Sequence, residues 1–245
     1  MQRQDLELVF SQLLNSTRWK MFRTETHLHT AETSPCGRVS AVELIRQYYD
    51  AGYKTVFVSD HFYEKYFESL GDISWEEKIE QFLKGYKEAK AVGETLGMNV
   101  LLSAELRLNH SINDYLLYGV DEELLKAMEH VLAMSIEQFY LYAKQHGITV
   151  IQAHPYRDCK CTPTPEFVDG FEAHNSNPRH ENFYKKVMEL AKEYKKPVTA
   201  GSDAHRPQDI ALSGVVTKQE IRTTDDYLRA LFSGELALIK GEETI

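Results

Sequence analysis

Two hydrophobic periods alternate along this chain. Short runs rich in β-branched and aromatic residues are separated by longer stretches with apolar positions three and four residues apart, the patterns of strand and amphipathic helix. Strands are expected over 20–26, 54–59, 99–103, 115–118, 148–153, 170–173 and 197–200, with a last strand or edge over 235–240. Residues 4–14 carry Leu6, Val9, Phe10, Leu13 and Leu14 at helical spacing, for a helix that packs outside or closes the bottom of the domain. Further helices are expected over 40–52, 74–97, 121–130, 135–147, from Asn177 to about Tyr194, and over 224–232. Ser40 with Glu43, Ser74 with Glu77 and Ser135 with Gln138 have capping-box spacing. Gly97 and Gly147 act as stops, and Asn177–Pro178 reads as an N-cap followed by proline at the first helical position. Strand, loop and helix repeat about seven times, which predicts an α/β fold, a closed or nearly closed barrel of parallel strands with helices outside. Nothing resembles a linker, so 1–245 is read as a single domain.

Composition changes this picture little. A hydrophobic fraction of 42% and a charged fraction of 27% suit an ordinary globular chain. The formal charge of −9 disfavours a general nucleic-acid binder, and bound cations can offset part of it. No stretch approaches the roughly 18–20 apolar residues of a membrane helix, and the N-terminus lacks the features of a secretory signal. Three cysteines, Cys36, Cys159 and Cys161, cannot all pair within one chain, so reduced thiols and a cytoplasmic location are expected. There is no P-loop, dinucleotide fingerprint or G-x-S-x-G elbow.

The candidate chemistry gathers at strand ends. Residues 26–31 read T-H-L-H-T-A, and in an extended strand His27 and His29 point the same way. Asp60–His61, Ala104–Glu105, A-H-P at 153–155 and G-S-D-A-H at 201–205 each close an apolar run, and the sixth strand delivers Glu172 and His174. In β/α barrels the catalytic groups sit at the C-terminal ends of the strands, a position scattered structural histidines would not choose repeatedly. His27, His29, His61, His154 and His205 supply imidazole nitrogens, and Glu105 and Asp203 supply carboxylates. Such a mixed donor set favours zinc, manganese or iron(II) over magnesium or calcium. Seven candidates exceed the needs of one ion, which argues for two or three divalent ions able to clamp an attacking and a leaving oxygen, the chemistry of phosphoester hydrolysis. Arg157, Arg179 and Arg206 follow strand ends, where each could take a phosphate oxygen. His110, His130, His146 and His180 are read as structural or surface residues, and Cys159-x-Cys161 as part of a loop. Phe62, Tyr63, Tyr66 and Phe67 are either a substrate lid or packing.

H-L-H-T, S-D-H, A-H-P and G-S-D-A-H stand in the order found in the PHP (polymerase and histidinol phosphatase) family, with Glu105 where its bridging glutamate is expected. The chain resembles that family, in its small bacterial stand-alone form, from about Arg23 to Arg206. The resemblance implies a distorted seven-stranded TIM-like barrel with a two- or three-metal centre and phosphoesterase activity on a small phosphorylated substrate. It implies His27, His29, Glu105 and Asp203 around one metal, His154 with bridging Glu105 on a second, and His61 with His205 on a third. Asp203 and His205 would serve catalysis, with His205 or a metal-bound water protonating the leaving group. Glu172 and Asn175 would lie near the site. Two departures stand out. Tyr118-Gly119-Val120 offers no histidine after the fourth strand, and the loop after H-x-H-T has Glu32 and Cys36 where relatives place a histidine. Cys36 or Glu32 is the candidate third-site ligand from this loop, with water or an empty position as the alternative. Hydrolysis of a C–N bond, as in amidohydrolase barrels, and a regulatory metal-binding domain without turnover are the alternatives. Substrate, native metal and oligomeric state are not encoded in these motifs.

Overall fold

The computed structural model describes residues 21–181, 183–241 and 243–244. The helix expected over 4–14 lies outside the described residues. The elements in chain order are β1 (Phe22–Leu28), α1 (Ala41–Asp50), β2 (Tyr53–Val58), β3 (His61–Phe62), α2 (Glu64–Ser69), α3 (Trp75–Phe82), α4 (Lys84–Leu96), β4 (Asn99–Leu106), β5 (Tyr115–Tyr118), α5 (Glu122–Lys126), α6 (Ile136–Gln145), β6 (Thr149–Gln152), β7 (Gly170–Asn175), α7 (Tyr184–Tyr194), β8 (Val198–Gly201), β9 (Ser213–Thr217), α8 (Thr224–Ser233), β10 (Leu236–Lys240) and β11 (Glu243–Thr244). The sheet runs β11-β10-β9-β1-β2-β4-β5-β6-β7-β8, with β3 beside β4. Just past β8 it returns to β1. Asp203 N–H donates to the His27 carbonyl at 2.8 Å and His29 N–H to the Ala204 carbonyl at 3.1 Å. The result is a nearly closed barrel of seven strands, and the residues that close it lie beside the candidate ligands.

The structure departs from an all-parallel barrel at β5, which is antiparallel to both β4 and β6. Residues 107–114 are too few for a crossover, which needs a dozen or more, so β4 and β5 form a hairpin. The reversal places the start of β5, not its end, on the face where the parallel strands finish. Beyond the barrel, β9 pairs antiparallel with β1 and β10 with β9, extending the sheet past its closure. β9 is not among the elements expected from the pattern.

Local chemistry explains most helix boundaries. Ser74 with Glu77 and Ser135 with Gln138 form reciprocal capping boxes, as does Thr223 with Asp226, each cap supporting its helix by about 1 kcal/mol. Gly97 and Gly234 end helices in the left-handed conformation. The helix expected from Asn177 begins only at Tyr184, and Asn177 opens a turn closed by the His180 N–H on its carbonyl. The stretch after His61, expected from its aromatic and charged residues to be a loop over 62–73, instead carries α2. Phe62 and Phe67 are buried with Phe82, their ring centroids 4.8 and 5.3 Å from Phe62, and Phe67 lies 4.5 Å from Trp75. Tyr66 is buried as well. Of the four aromatics considered for a lid, three are core, and edge contacts of this kind add about 0.5–1.5 kcal/mol per pair. No helix among the described residues is long and apolar enough to cross a membrane.

Candidate metal centre

Glu25, His27 and His29 alternate along β1 and face the barrel interior, all fully buried. Glu25 is the base of the site. Its carboxylate accepts the Thr26, His27 and Ser202 N–H groups, each at 2.9 Å, and the Tyr48 hydroxyl at 2.8 Å, tying β1 to the end of β8. Burial pushes its carboxyl up to about 7 against those donors. Above it, His27 Nδ1 lies 2.9 Å from Glu172 Oε1. A carboxylate only accepts, so Nδ1 carries a proton and Nε2 is the nitrogen turned to the centre, the orientation found behind metal-ligating histidines. Glu172 also accepts from His154 N–H and from Asn175 Nδ2. His29 Nδ1 contacts Ser34 Oγ at 3.2 Å, and Ser34 donates to Asp60 at 2.6 Å, so the Nε2 of His29 likewise points inward. Asp60, which accepts the Thr30 N–H and hydroxyl as well, braces the loop rather than lining the centre.

The inward atoms converge. His27 Nε2 and His29 Nε2 are 3.1 Å apart. Asp203 Oδ1 lies 3.5 and 3.2 Å from them, and Glu105 contacts each at 3.4 Å. Four bonds of about 2.0–2.1 Å to one ion would space ligand atoms roughly 3.3–3.4 Å apart, so these side chains already stand at ligand spacing. Asp203 Oδ1 and Glu105 Oε2 are buried without a hydrogen bond, a state costly enough to call for a cation. His61 Nδ1 sits 2.7 Å from that Glu105 oxygen, and His29, His61 and His205 form a second group able to share an ion. His205 Nδ1 donates to the Asp203 carbonyl at 2.8 Å, which leaves Nε2 available. Glu105, Asp114 and His154 form a third such group.

Electrostatics agree with geometry. Burial pushes His27 down, but Glu172, Asp203 and Glu105 together hold it well above the usual histidine range, and Glu105 does the same for half-buried His61. Burial and the neighbouring His61 and His205 push His29 well below it. Glu105 and Asp203 sit well below the carboxylate range because surrounding histidines outweigh their burial, with Arg157 adding to the effect at Asp203. The centre draws positive charge from wherever it can. Backbone strain marks the same place, since His154 and Asp203 hold φ of 31° and 49°, in the left-handed region few non-glycine residues occupy. At Gly201 an added Cβ would lie 2.5 Å from His27 Cβ and 2.9 Å from Glu172 Oε1, so only glycine lets β8 approach so closely.

The centre opens into a cavity of about 510 Å³ lined by Cys36, His61, Tyr63 and His205, with Arg38, Arg107, Arg157, Arg179 and Arg206 around it. Cys36 lines the cavity with His205 and His61, whose influence outweighs burial and brings its thiol down to about 6. Glu32 does not join them. Its carboxylate accepts the Ala41 N–H at 2.9 and 3.1 Å, capping α1 beside Ser40. Arg157 donates to Asp203 Oδ2 at 2.7 Å, and Arg179 forms a two-point bridge with Asp209 at 2.9 and 2.8 Å. Arg206 is exposed at the rim. His174 is turned away, its ring 6.3 Å from that of Tyr184 in a groove that Lys240 also lines. His180, read as a surface residue, lines the cavity and pairs with Asp158 at 3.1 Å.

Sequence reasoning missed three residues that shape the centre. Asp114 stands at the start of reversed β5, where the search for a ligand after that strand could not find it. The short connection from Leu106 to Tyr115 was the available signal. Asn177 donates Nδ2 to Asp203 Oδ2 at 3.3 Å while its Oδ1 accepts the Arg179 N–H at 3.2 Å. Glu25 carries no motif beyond its place two residues before His27.

A sequence model described as PHP-associated matches residues 182–236. Among curated proteins, none matches the sequence. Similar folds occur in solved structures. A two-domain Bacteroides vulgatus protein containing a predicted PHP-like metal-dependent phosphoesterase superposes with a TM-score of 0.67 at 14% identity, covering 92% of this chain. This chain spans 66% of that protein's length. A Bifidobacterium adolescentis protein proposed to be a metal-dependent phosphoesterase gives 0.55 at 17% identity, over 86% of this chain and 95% of its own. The lesion-specific endonuclease PfuEndoQ of Pyrococcus furiosus gives 0.61 at 13% identity, over 87% of this chain and 56% of its own.

Proposed function

We propose that this chain is a member of the PHP family and a metal-dependent phosphoesterase acting on a small phosphorylated metabolite or nucleotide. The observation that carries the reading is the set of inward imidazole and carboxylate atoms 3.1–3.5 Å apart, with two buried carboxylate oxygens lacking hydrogen bonds, beneath an arginine-lined cavity. His27, His29, Glu105 and Asp203 would hold one ion, and His61, His205 and Cys36 another. Nitrogen, oxygen and thiolate donors together favour zinc, manganese or iron(II). When bound, such ions supply Lewis-acid activation of water and of a phosphoryl group.

The chain's own residues account for orientation and for charge at the cavity. Glu172 and Ser34 fix the tautomers of His27 and His29, so their Nε2 atoms need no reorganisation. Arg157, anchored on Asp203, and Arg179, anchored on Asp209, present guanidinium charge to phosphoryl oxygens without having to be ordered on binding. His205, held through Nδ1 by the Asp203 carbonyl, keeps Nε2 turned toward the cavity as the nitrogen that would meet the second ion.

The test is phosphate release from a panel of nucleotides and sugar phosphates, run beside an amide panel, on manganese-loaded and chelator-treated protein. Release of phosphate that disappears with chelator is expected. Turnover of amides alone would replace the reading with C–N hydrolysis, and phosphate release indifferent to chelator would remove the metals from it.

A further inference from the structure

The three candidate ligand groups differ in what already occupies their carboxylates. On the side of His27, His29 and His61, one oxygen of Asp203 and one of Glu105 have no hydrogen bond. On the His154 side no carboxylate oxygen is left in that state. Glu105 Oε1 is 3.0 Å from His154 Nε2. Both oxygens of Asp114 are taken by Arg107, Nε to Oδ1 and Nη2 to Oδ2, each at 2.6 Å. The unpartnered atom there is Nδ1 of His154, one donor where an ion needs several. The β4–β5 register, which pairs Leu106 with Tyr115, brings Arg107 opposite Asp114 one step further on, so the hairpin itself builds this pair. A second guanidinium follows. Arg157 bonds Asp203 through Nη2 and brings Nη1 within 4.0 Å of Asp114 Oδ2. Its side chain is 17% exposed and lines the cavity, while that of Asp114 is 1% exposed. A dication among Glu105, Asp114 and His154 would have to displace a two-point arginine bridge or sit against two guanidinium charges in a poorly solvated place.

We propose that in this chain Arg107 and Arg157 take the place of a cation on the His154 side, so that the centre holds two ions and the substrate's anionic group is received on that side by guanidinium. Asp114 is then a positioning residue that holds Arg107 at the cavity wall, and Arg157 a binding residue. The inference rests on the centre binding metal at all, and the experiment separates the two.

Protein saturated with manganese(II) and freed of excess is analysed for manganese per chain, as wild type and as Asp114→Asn, which keeps an acceptor for Arg107 but removes the anion. Both are expected to carry two. In parallel, inorganic phosphate binding to the loaded protein is measured calorimetrically. Arg157→Gln is expected to weaken it about tenfold, the loss of one charge-assisted hydrogen bond, with manganese content unchanged. A wild-type count of three, or a loss of manganese in Asp114→Asn, overturns the inference and leaves the metal reading standing. A count of zero overturns both. Unchanged phosphate affinity in Arg157→Gln overturns the guanidinium role.

Discussion

Cys36 shows how a single residue can report on the centre. Its thiol is pushed up by burial and brought down, more strongly, to about 6 by His205 and His61. A depressed pKa means the thiolate persists above pH 6 and its interaction with the histidines is lost as pH falls through that value. In chelator-treated protein, alkylation of the Cys36 peptide should therefore rise between about pH 5 and 7, not near the ordinary thiol range of about 8.5. A rise centred near 8.5, followed by mass spectrometry, would show that the histidines do not face the sulfur. At this scale the sequence was legible where residue type and strand position coincided. His27, His29, His61, Glu105, His154, Asp203 and His205 all close apolar runs, and the structure brings them together. Asp114, Asn177 and Glu25 were not legible, because a lone Asp, Asn or Glu in a short segment looks like any surface polar residue. Glu32 was a plausible oxygen donor from the right loop, but the open N-terminus of α1 claimed it.

The elements set how closely those residues can meet. β8 can press against β1 because Gly201 has no side chain, with His27 Cβ 2.5 Å from where its Cβ would stand. Gly201→Ala should lower stability by about 1–3 kcal/mol, the range for overpacking a dense core, and should lower metal content by displacing His27 or Glu172. Thermal unfolding and elemental analysis measure the two, and a variant matching wild type in both would mean that β8 has slack the structure does not show. Strand and helix positions followed from periodicity and capping residues, so most elements stood within a few residues of expectation. Direction did not follow. β5 has the same apolar pattern whichever way it runs, and only the brevity of residues 107–114 carried its reversal. α7 begins later than expected, since Asn177 caps a single turn over Arg179 and His180 that does not continue into the helix.

For the molecule as a whole, closing the barrel and building the centre are one event. The hydrogen bonds that join β8 to β1 flank His27, His29 and Asp203, so an ion bound there also fastens β8 to β1 where the barrel closes. Such binding stabilises the folded chain by mass action, by about 2.7 kcal/mol at a hundredfold excess over Kd, and it weakens in mild acid, where histidine ligands must give up a proton to coordinate. The concentration of buried negative charge in an already acidic chain has the same origin, since the carboxylates are tolerable only with cations among them. Asp203 is the residue at which fold, strain and chemistry meet, with φ of 49°, a main-chain bond to β1 and an oxygen without a hydrogen bond facing two imidazoles. The most direct measurement is therefore the metal content of Asp203→Asn beside wild type, by elemental analysis after manganese loading, with phosphate release recorded on the same samples. An amide keeps the shape and removes the charge, so the variant should stay folded, lose at least one ion per chain and lose phosphate release by orders of magnitude. A variant that keeps both its full metal content and its activity would contradict the account.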